Sequence, residues 1–222
     1  MRTVIFDIET IPVDFDNFSE NQKEYLLKFA KNEEEKEKTL AQFALWAPTN
    51  KIIAIGMLVV ETGKGAVYFQ SKNEKSDWIE NNIKYSIGTE KEILEKFWQA
   101  IKYADRFVTF NGRGFDCPVI MLKSAMLGVK PTKNLMPYRY ASNIHIDLLE
   151  QLTFYSSYRK FNLDLYCTAF NIKSPKTEDM NGHEVFPMFK RGDYEKIAKY
   201  CAGDLFATRE LFLKWEKYLN IK

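Results

Sequence analysis

Val4-Ile5-Phe6-Asp7-Ile8-Glu9-Thr10 is a run of apolar, mostly β-branched or aromatic residues that contains two acids. It predicts a buried β-strand, on which alternate side chains point to opposite faces, so that Asp7 and Glu9 share a face with Ile5. Two neighbouring carboxylates on a core strand repel each other and lose their hydration. A divalent cation such as Mg²⁺ or Mn²⁺ would offset that penalty, because hard ions take carboxylate oxygens as ligands. The alternative is a strand that ends at Phe6 and leaves both acids in solvent.

The composition is typical of a globular protein without a strong charge bias. The chain has 222 residues, of which 45% are hydrophobic and 15% aromatic, and its formal net charge is +2. That charge neither requires nor excludes a nucleic-acid partner, because a basic groove can coexist with an acidic metal site. The length suits an α/β protein, and we expect residues 1–222 to form a single domain with a helical insertion over about 14–48.

The cysteines and the apolar runs give an expectation for the cellular compartment. Cys117, Cys167 and Cys201 are far apart and form no CxxC pair. This favours free thiols in a reducing compartment and argues against a structural zinc site. The longest apolar run, 52–60, is too short to span a membrane, and no signal-peptide pattern precedes the first strand. We therefore expect a cytoplasmic protein.

Hydrophobic periodicity and turn residues predict the remaining elements. Strands are expected over 52–60, 66–70 and 106–110, and helices within 20–45 and over 89–101, 116–128, 148–152, 161–170 and 194–219. Thr89 is a plausible cap for the helix that follows it. The stretches 71–86 and 171–192 predict irregular structure. This order of elements favours a mixed sheet flanked by helices.

Two further patterns place acids near the ends or on the faces of these elements. Asn111-Gly112-Arg113-Gly114-Phe115-Asp116-Cys117-Pro118 predicts a strand end that opens into a helix. Tyr200-Cys201-Ala202-Gly203-Asp204 falls on the last helix, where Tyr200 and Asp204 are four residues apart and share a face. Packing of that face near the sheet would bring a phenol and a carboxylate to the acids of the first strand. Considered alone, Asp116 equally suits a helix N-cap and Asp204 a surface acid.

Together the three patterns resemble the DEDD superfamily of 3′–5′ exonucleases, in the branch with a tyrosine in the last motif. The likeness is to standalone proteins similar to the exonuclease domain of family B DNA polymerases. It runs from Thr3 to Phe212 and includes Lys176 and Gly182-His183-Glu184-Val185. It implies an α/β, ribonuclease H-like fold, with a mixed five-stranded sheet flanked by helices and a helical insertion after the first strand. The inserted helices and Gly203, at a position often acidic in relatives, depart from the family pattern.

The resemblance also implies a catalytic set, which consists of Asp7, Glu9, Asp116, Tyr200 and Asp204. Asp7 would bridge two divalent ions, Mg²⁺ or Mn²⁺. Glu9 and Asp204 would hold the ion that activates water, and Asp116 would orient the second ion through water. Two ions about 3.5–4 Å apart stabilise both the attacking and the leaving oxygens of a phosphodiester. Tyr200 would position the water, because a phenol with a pKa of about 10 is a poor base at neutral pH.

By the same resemblance, the terminal nucleotides of a single-stranded 3′ end would contact Asn111 and Phe115, with Thr10 and the Ile8 backbone nearby. Basic and aromatic residues also interleave between 123 and 161, which suits either a nucleic-acid track or core packing with a solvated rim. The basic residues are Lys123, Lys130, Lys133, Arg139, Arg159 and Lys160, and the aromatic ones are Tyr138, Tyr140, Phe154, Tyr155, Tyr158 and Phe161.

Other chemistries fit the sequence less well. His183 is too far before Asp204 to match the histidine-type branch of the superfamily, and we expect it to lie in a loop. Cys117 has no histidine close in sequence, which argues against a cysteine nucleophile. The sequence therefore predicts a metal-dependent 3′–5′ exonuclease that releases nucleoside monophosphates from single-stranded DNA. A 3′–5′ exoribonuclease and a non-catalytic nucleic-acid- or protein-binding module of the same fold stay open. The sequence names no polymerase or repair partner.

Overall fold

The computed structural model describes residues 1–73, 76–141, 143–175, 182 and 184–221. Its strands are β1 (Thr3–Pro12), β2 (Asn50–Val59), β3 (Gly65–Phe69), β4 (Trp78–Glu80), β5 (Ile83–Ile87), β6 (Arg106–Thr109) and β7 (His145–Asp147). Within the described residues they form one sheet of seven strands in the order β4-β5-β3-β2-β1-β6-β7. β1 runs antiparallel to β2 and parallel to β6. The first strand therefore lies inside the sheet, as its apolar character predicts.

The helices cover both faces of this sheet. They are α1 (Glu20–Leu26), α2 (Glu33–Gln42), α3 (Glu90–Ile101), α4 (Asp116–Met126), α5 (Leu148–Leu152), α6 (Leu163–Ala169), α7 (Val185–Arg191) and α8 (Tyr194–Tyr218). Val4, Phe6 and Ile8 of β1 pack in one core with α3 and α4. Ile5 packs in the other core, with α8. Because side chains alternate along β1, Asp7 and Glu9 lie with Ile5 on the face of the sheet that α8 covers.

The sheet has two strands more than the five expected, although the mixed sheet with flanking helices confirms the α/β, ribonuclease H-like fold. The stretch 71–86 is not wholly irregular, because β4 lies within it and β5 begins there. β5 pairs in parallel with β3 from Ile83 to Ile87. Residues 145–147 form the further strand β7, which pairs in parallel with β6. Such short strands give a weak sequence signal, because cross-strand packing rather than local propensity stabilises them.

Helices lie between β1 and β2, as expected. α1 begins with a capping box at Ser19, α2 begins at the N-cap Asn32, and short 3₁₀ turns flank the pair at Phe15–Asn17 and Phe43–Leu45. Phe43 is fully buried, whereas Tyr25 and Phe29, which share helical spacing, are exposed. The insertion is therefore anchored mainly at its carboxyl-terminal end.

The other sequence expectations have mixed outcomes. The side chain of Thr89 caps α3 through a capping box with Glu92, which confirms the expected helix start. The loop expected over 171–192 is wrong in part, because α7 occupies 185–191 and buries Val185 and Met188. Lys176 and His183 lie outside the described residues, so the expectations for them stay predictions.

Two further findings concern the cysteines and the helices. Cys117, Cys167 and Cys201 are buried free thiols, as predicted. No helix in the described part of the chain is long and apolar enough to cross a membrane.

Candidate active site

Helix α8 approaches β1 closely because a glycine lies beneath it. Gly56 of β2 is paired with Asp7 of β1. A Cβ atom on Gly56 would lie 2.8 Å from both the Cys201 sulfur and a Leu205 methyl carbon, closer than such contacts occur. The missing side chain lets this turn of α8 rest on the strand pair. Tyr200, on the same turn, is thereby brought over the acids of β1.

Three carboxylates meet where α8 crosses β1. Asp7, Glu9 and Asp204 each offer one ligand oxygen, and these oxygens all lie within 4.8 Å of one another. Glu9 and Asp204 are buried, and Asp7 is half-buried. A hard divalent cation binds oxygen at about 2.0–2.6 Å, so two ligands of one ion lie at most about 5 Å apart. The spacing and the all-oxygen donor set fit such a cation.

The fourth predicted acid reaches the same place from another element. Asp116 is the first residue of α4, and Phe115 occupies the N-cap position before it. The Oδ1 atom of buried Asp116 accepts a hydrogen bond from the Ile8 amide at 3.0 Å. This bond ties the start of α4 to β1 beside Asp7, and the alternative in which Asp116 is the N-cap of its helix is wrong.

The four acids destabilise one another's charged forms. Burial raises the pKa of Asp7 well above its ordinary value, and the charges of Asp116, Asp204 and Glu9 raise it further. Burial also raises the pKa of Asp116 to about 7, although hydrogen bonds from its own amide and the Ile8 amide oppose that rise. In the absence of a cation, the protein therefore retains protons here that solvated carboxyls would release.

Tyr200 is a buried phenol beside this cluster. Burial raises its pKa above the ordinary value, and the neighbouring charges of Asp204, Glu9 and Asp7 and a hydrogen bond with Asp204 add to the rise. The phenol therefore stays protonated at neutral pH, where it can hold and orient a neighbour but cannot serve as a base.

The remaining candidate nucleophile is unsuited to that role. Cys117 is fully buried, and burial raises the pKa of its thiol, with Asp116 and Asp147 raising it further. A neutral, inaccessible thiol is a poor nucleophile.

An open cleft lies over the acids. It is lined by Asp7, Phe110, Asn111, Leu149, Phe161, Asn162, Leu163, Tyr200 and Asp204. Of the four residues predicted to contact nucleotides, Asn111 lines this cleft, and its φ of 62° lies in the left-handed region that asparagine tolerates. Phe161 belongs to the aromatic residues that the sequence analysis listed, whereas Phe110, Leu149 and Leu163 were missed, because apolar residues at element ends have no distinctive pattern.

The other three predicted nucleotide contacts are engaged within the protein. Phe115 packs against the core formed with α3 and α4. The Ile8 amide donates to Asp116, and the Thr10 hydroxyl donates to the Ala44 carbonyl at 2.6 Å, which anchors the helical insertion. Their contacts with nucleotides stay predictions.

Asp147 is a site residue that the sequence reasoning missed. It is buried at the end of β7, where its Oδ1 and Oδ2 atoms accept hydrogen bonds from the amides of Asn111 and Arg113, both at 2.9 Å. Its Oδ1 also accepts from the Leu149 amide at 3.0 Å and so caps α5. One carboxylate thus fixes the loop that carries Asn111. The available signal was an acid directly before the predicted helix over 148–152.

Gly203 departs from the family pattern for a visible reason. A Cβ atom at this position would lie 3.0 Å from the Pro175 Cβ atom. An acidic side chain would therefore displace the segment that packs on this side of α8. The departure leaves Asp204 unaffected, because Asp204 lies on the cleft side.

Fold and site together define the class: a ribonuclease H-like protein in which acids from a central strand and two helices converge under an open cleft. The sequence profile of a family described as "predicted 3′-5′ exonuclease related to the exonuclease domain of PolB" matches residues 41–220. The chain belongs to this family. The matched part contains Asp116, Tyr200 and Asp204, whereas Asp7 and Glu9 precede it.

The chain is also similar to part of several DNA polymerases. The DNA polymerase of Desulfurococcus sp. (strain Tok) is 31% identical over 146 residues, which are 57% of this chain and 18% of the polymerase. DNA polymerase 1 of Sulfurisphaera ohwakuensis is 29% identical over 138 residues, 55% of this chain and 15% of the polymerase. The DNA polymerase of Thermococcus gorgonarius is 28% identical over 145 residues, 56% of this chain and 18% of the polymerase. The chain thus corresponds to less than a fifth of each of these polymerases.

Proposed function

We propose that this protein is a metal-dependent 3′–5′ exonuclease that hydrolyses single-stranded DNA from its 3′ end and releases nucleoside monophosphates. The observation that carries the proposal is the convergence of the Asp7, Glu9 and Asp204 carboxylates within 4.8 Å. Family membership supports the reaction class. Similarity to DNA polymerases supports DNA over RNA as the substrate.

The acids are proposed to hold two divalent ions, Mg²⁺ or Mn²⁺. Asp7, Glu9 and Asp204 would be direct ligands, and Asp116 would orient the second ion. When bound, such ions acidify a ligated water and stabilise negative charge on phosphoryl oxygens. The raised pKa of Asp7 supports this assignment, because a nearby cation would remove the repulsion that raises it.

The protein's own groups are proposed to align the substrate. Tyr200, which hydrogen-bonds with Asp204, would orient the attacking water without accepting its proton. Asn111 and Phe115 would contact the terminal nucleotides, with Ile8 and Thr10 beside them.

Three further proposals concern the extent of the domain, its cellular location and its partners. Residues 1–222 are proposed to act as a single exonuclease domain, with the helical insertion at its edge. A cytoplasmic location, suggested by three cysteines that form no disulfide, and a polymerase or repair partner stay predictions.

The test is release of mononucleotides from 3′-labelled and 5′-labelled single-stranded DNA and RNA with Mn²⁺, Mg²⁺ or EDTA. Metal-dependent shortening of DNA from the 3′ end is the expected result. Asp7→Ala should be inactive and still bind DNA, and Asp105→Asn, at an exposed acid on the opposite end of β6, should be fully active. Preferential shortening of RNA would favour the exoribonuclease. Binding without cleavage of either polymer would favour the non-catalytic module.

A further inference from the structure

Four exposed aromatic side chains lie on two short segments, 138–140 and 154–158, which precede β7 and follow α5 in the chain. Tyr138, Tyr140, Phe154 and Tyr158 are 75%, 54%, 63% and 65% exposed, respectively. We call these four residues the aromatic patch. Exposed apolar surface of this kind marks binding sites more often than it marks packing. Of the two uses that the sequence left open for these residues, core packing is therefore excluded for these four.

The aromatic patch is fastened directly to the loop of the cleft. The Arg113 guanidinium donates hydrogen bonds to the Pro137 carbonyl at 3.1 Å and the Tyr138 carbonyl at 3.3 Å. The Arg113 amide in turn donates to Asp147, as the Asn111 amide does. The backbone of Tyr138 and the cleft residue Asn111 therefore belong to one bonded unit.

Ring contacts extend this unit to α5. The Tyr140 ring lies between those of Tyr138 and Tyr155, with centroid distances of 5.6 and 4.7 Å. The Tyr155 hydroxyl accepts a hydrogen bond from the Gln151 side chain on α5 at 2.9 Å. Contacts with neighbouring rings thus restrict the Tyr138 and Tyr140 side chains. This restriction lowers the conformational entropy that they would lose when a ligand stacks on them.

The turn that presents Phe154 has an uncommon backbone. Phe154, Tyr155 and Ser156 have φ values of 48°, 57° and 72°, three consecutive non-glycine residues in the left-handed region. The Tyr155 amide donates to the Glu150 carbonyl at 2.7 Å, which closes the turn and leaves the Phe154 ring in solvent.

The charge around the aromatic patch is positive. Arg139, Arg159 and Lys160 are exposed, and the Arg159 guanidinium lies 5.0 Å from the centre of the Phe161 ring, which lines the cleft. The nearby acid, Glu150, is neutralised by Arg139 at 2.8 Å.

Not every basic residue of the interleaved sequence pattern contributes. Lys123 is buried and lies 3.6 Å from Glu90 of α3, so it belongs to the core. Lys133 is half-buried, whereas Lys130 is exposed.

We propose that the aromatic patch and its cations bind single-stranded nucleic acid, by stacking bases that lie 5′ of the terminal nucleotides in the cleft. Flat faces and cations together match the bases and phosphates of a single strand. The position of the 3′ end in the cleft rests on the proposed function, but the binding itself does not require hydrolysis.

The test is fluorescence anisotropy of labelled oligothymidylates of three and twelve nucleotides in EDTA, where no cleavage occurs. The variant is the double substitution Tyr138→Ala and Tyr140→Ala. Since stacking contributes about 1–3 kcal/mol per base, we expect at least about tenfold weaker binding of the 12-mer. Binding of the 3-mer, which the cleft alone accommodates, should change little.

Two controls separate stacking from general damage. Tyr103→Ala removes a ring that is 67% exposed and precedes β6, at the opposite end of that strand from Asn111. It should bind both oligonucleotides normally. Tyr138→Phe with Tyr140→Phe keeps the ring faces and should bind the 12-mer like the wild type.

The outcomes distinguish this proposal from the proposed function. Unchanged 12-mer binding in the alanine variant would overturn the proposal even if the wild type degrades DNA. The aromatic patch would then be a candidate surface for a protein partner. Loss of 12-mer binding in the alanine variant alone, with a wild type that cleaves nothing, would support the proposal and refute the exonuclease.

Discussion

Asp147 and Asp7 are acids of neighbouring parts of one sheet, yet their surroundings are opposite. The Asp147 carboxylate accepts hydrogen bonds from the backbone amides of Asn111, Arg113 and Leu149. The Asp7 carboxylate faces the carboxylates of Glu9, Asp116 and Asp204. Burial raises the pKa of both carboxyls, but backbone donors oppose that rise at Asp147, whereas like charges add to it at Asp7.

The difference separates an acid that builds the site from an acid that acts in it. Asp147 stabilises a loop by itself and requires no further ligand. The cluster around Asp7 is unfavourable until positive charge is supplied, which is the behaviour expected of a cation site. Substitutions at the two positions should therefore change stability in opposite directions.

The largest effect is expected for Asp7→Asn. Loss of a direct ion ligand should lower the hydrolysis rate at least about a thousandfold, equivalent to about 4 kcal/mol in the barrier. The metal-free variant should nevertheless melt at a higher temperature than the wild type, because asparagine can neither ionise beside the other three acids nor need a proton to stay neutral there. Calorimetry in EDTA and in Mn²⁺ measures the melting temperatures of the metal-free and the metal-bound proteins. A lower melting temperature in EDTA would place Asp7 with the structural acids.

Metal binding should stabilise the folded wild-type protein, because the ion offsets the repulsion among the four clustered acids. A ligand present at a hundredfold excess over its Kd stabilises the folded protein by about 2.7 kcal/mol. Mn²⁺ should therefore raise the melting temperature of the wild type and leave that of Asp7→Asn nearly unchanged. An equal rise in both proteins would show that the ion binds elsewhere.

Asp147→Ala should have the opposite signature. It leaves the buried amide of Leu149 and the part-buried amides of Asn111 and Arg113 without their acceptor, and an unsatisfied buried group costs about 1–3 kcal/mol. We expect a loss of about 3 kcal/mol in the free energy of unfolding, measured by urea denaturation, with or without metal. Unchanged stability would mean that the loop rearranges to satisfy its amides, and the contrast with Asp7 would disappear.

The contrast also marks how far the sequence predicts this site. The motifs at Asp7, Asp116 and Asp204 lie on elements with strong periodicity, and a shared helix face is enough to place Tyr200 beside Asp204. Asp147 lies on a three-residue strand whose pairing with β6 is set by distant contacts. Its role depends on which amides the fold brings to it, and no local pattern encodes that.

The same reasoning explains the errors in the fold. β4 and β5 lie at one edge of the sheet, where β5 pairs with β3. Because this pairing with a distant segment stabilises them, their own composition predicted irregular structure. Conversely, the exposed Tyr25 and Phe29 have helical spacing, but spacing cannot show whether a surface exists for that face to cover. Periodicity predicts elements well where one face is buried in the central core, and less well at the edges.

A pH titration sharpens the comparison within the acid cluster. The pKa of Asp116 is raised to about 7, so the folded protein holds this proton more tightly than the unfolded chain does. In EDTA its contribution to stability is fully present below about pH 4 and is lost as pH rises through about 7. Asp116→Asn removes this titration, so its stability relative to the wild type should rise over that window by at least about 2 kcal/mol.

Urea denaturation at several pH values, with both proteins in EDTA, measures this difference. Using the difference cancels other titrations common to both proteins, including that of His145, whose pKa burial lowers to about 3. A constant difference between about pH 4 and pH 7 would mean that folding does not raise the pKa of Asp116.

The smallest effect is expected for Tyr200→Phe, which tests whether the phenol acts in the reaction or only fills space. The ring keeps its packing, and the hydroxyl that bonds with Asp204 is lost. We expect hydrolysis to slow about tenfold, equivalent to 1.4 kcal/mol, while stabilisation by Mn²⁺ stays as in the wild type. The pH dependence of the rate should keep its shape, because a phenol that stays protonated contributes no titration near neutral pH. If Mn²⁺ no longer stabilised the variant, the phenol would be needed to hold Asp204 as an ion ligand rather than to orient water.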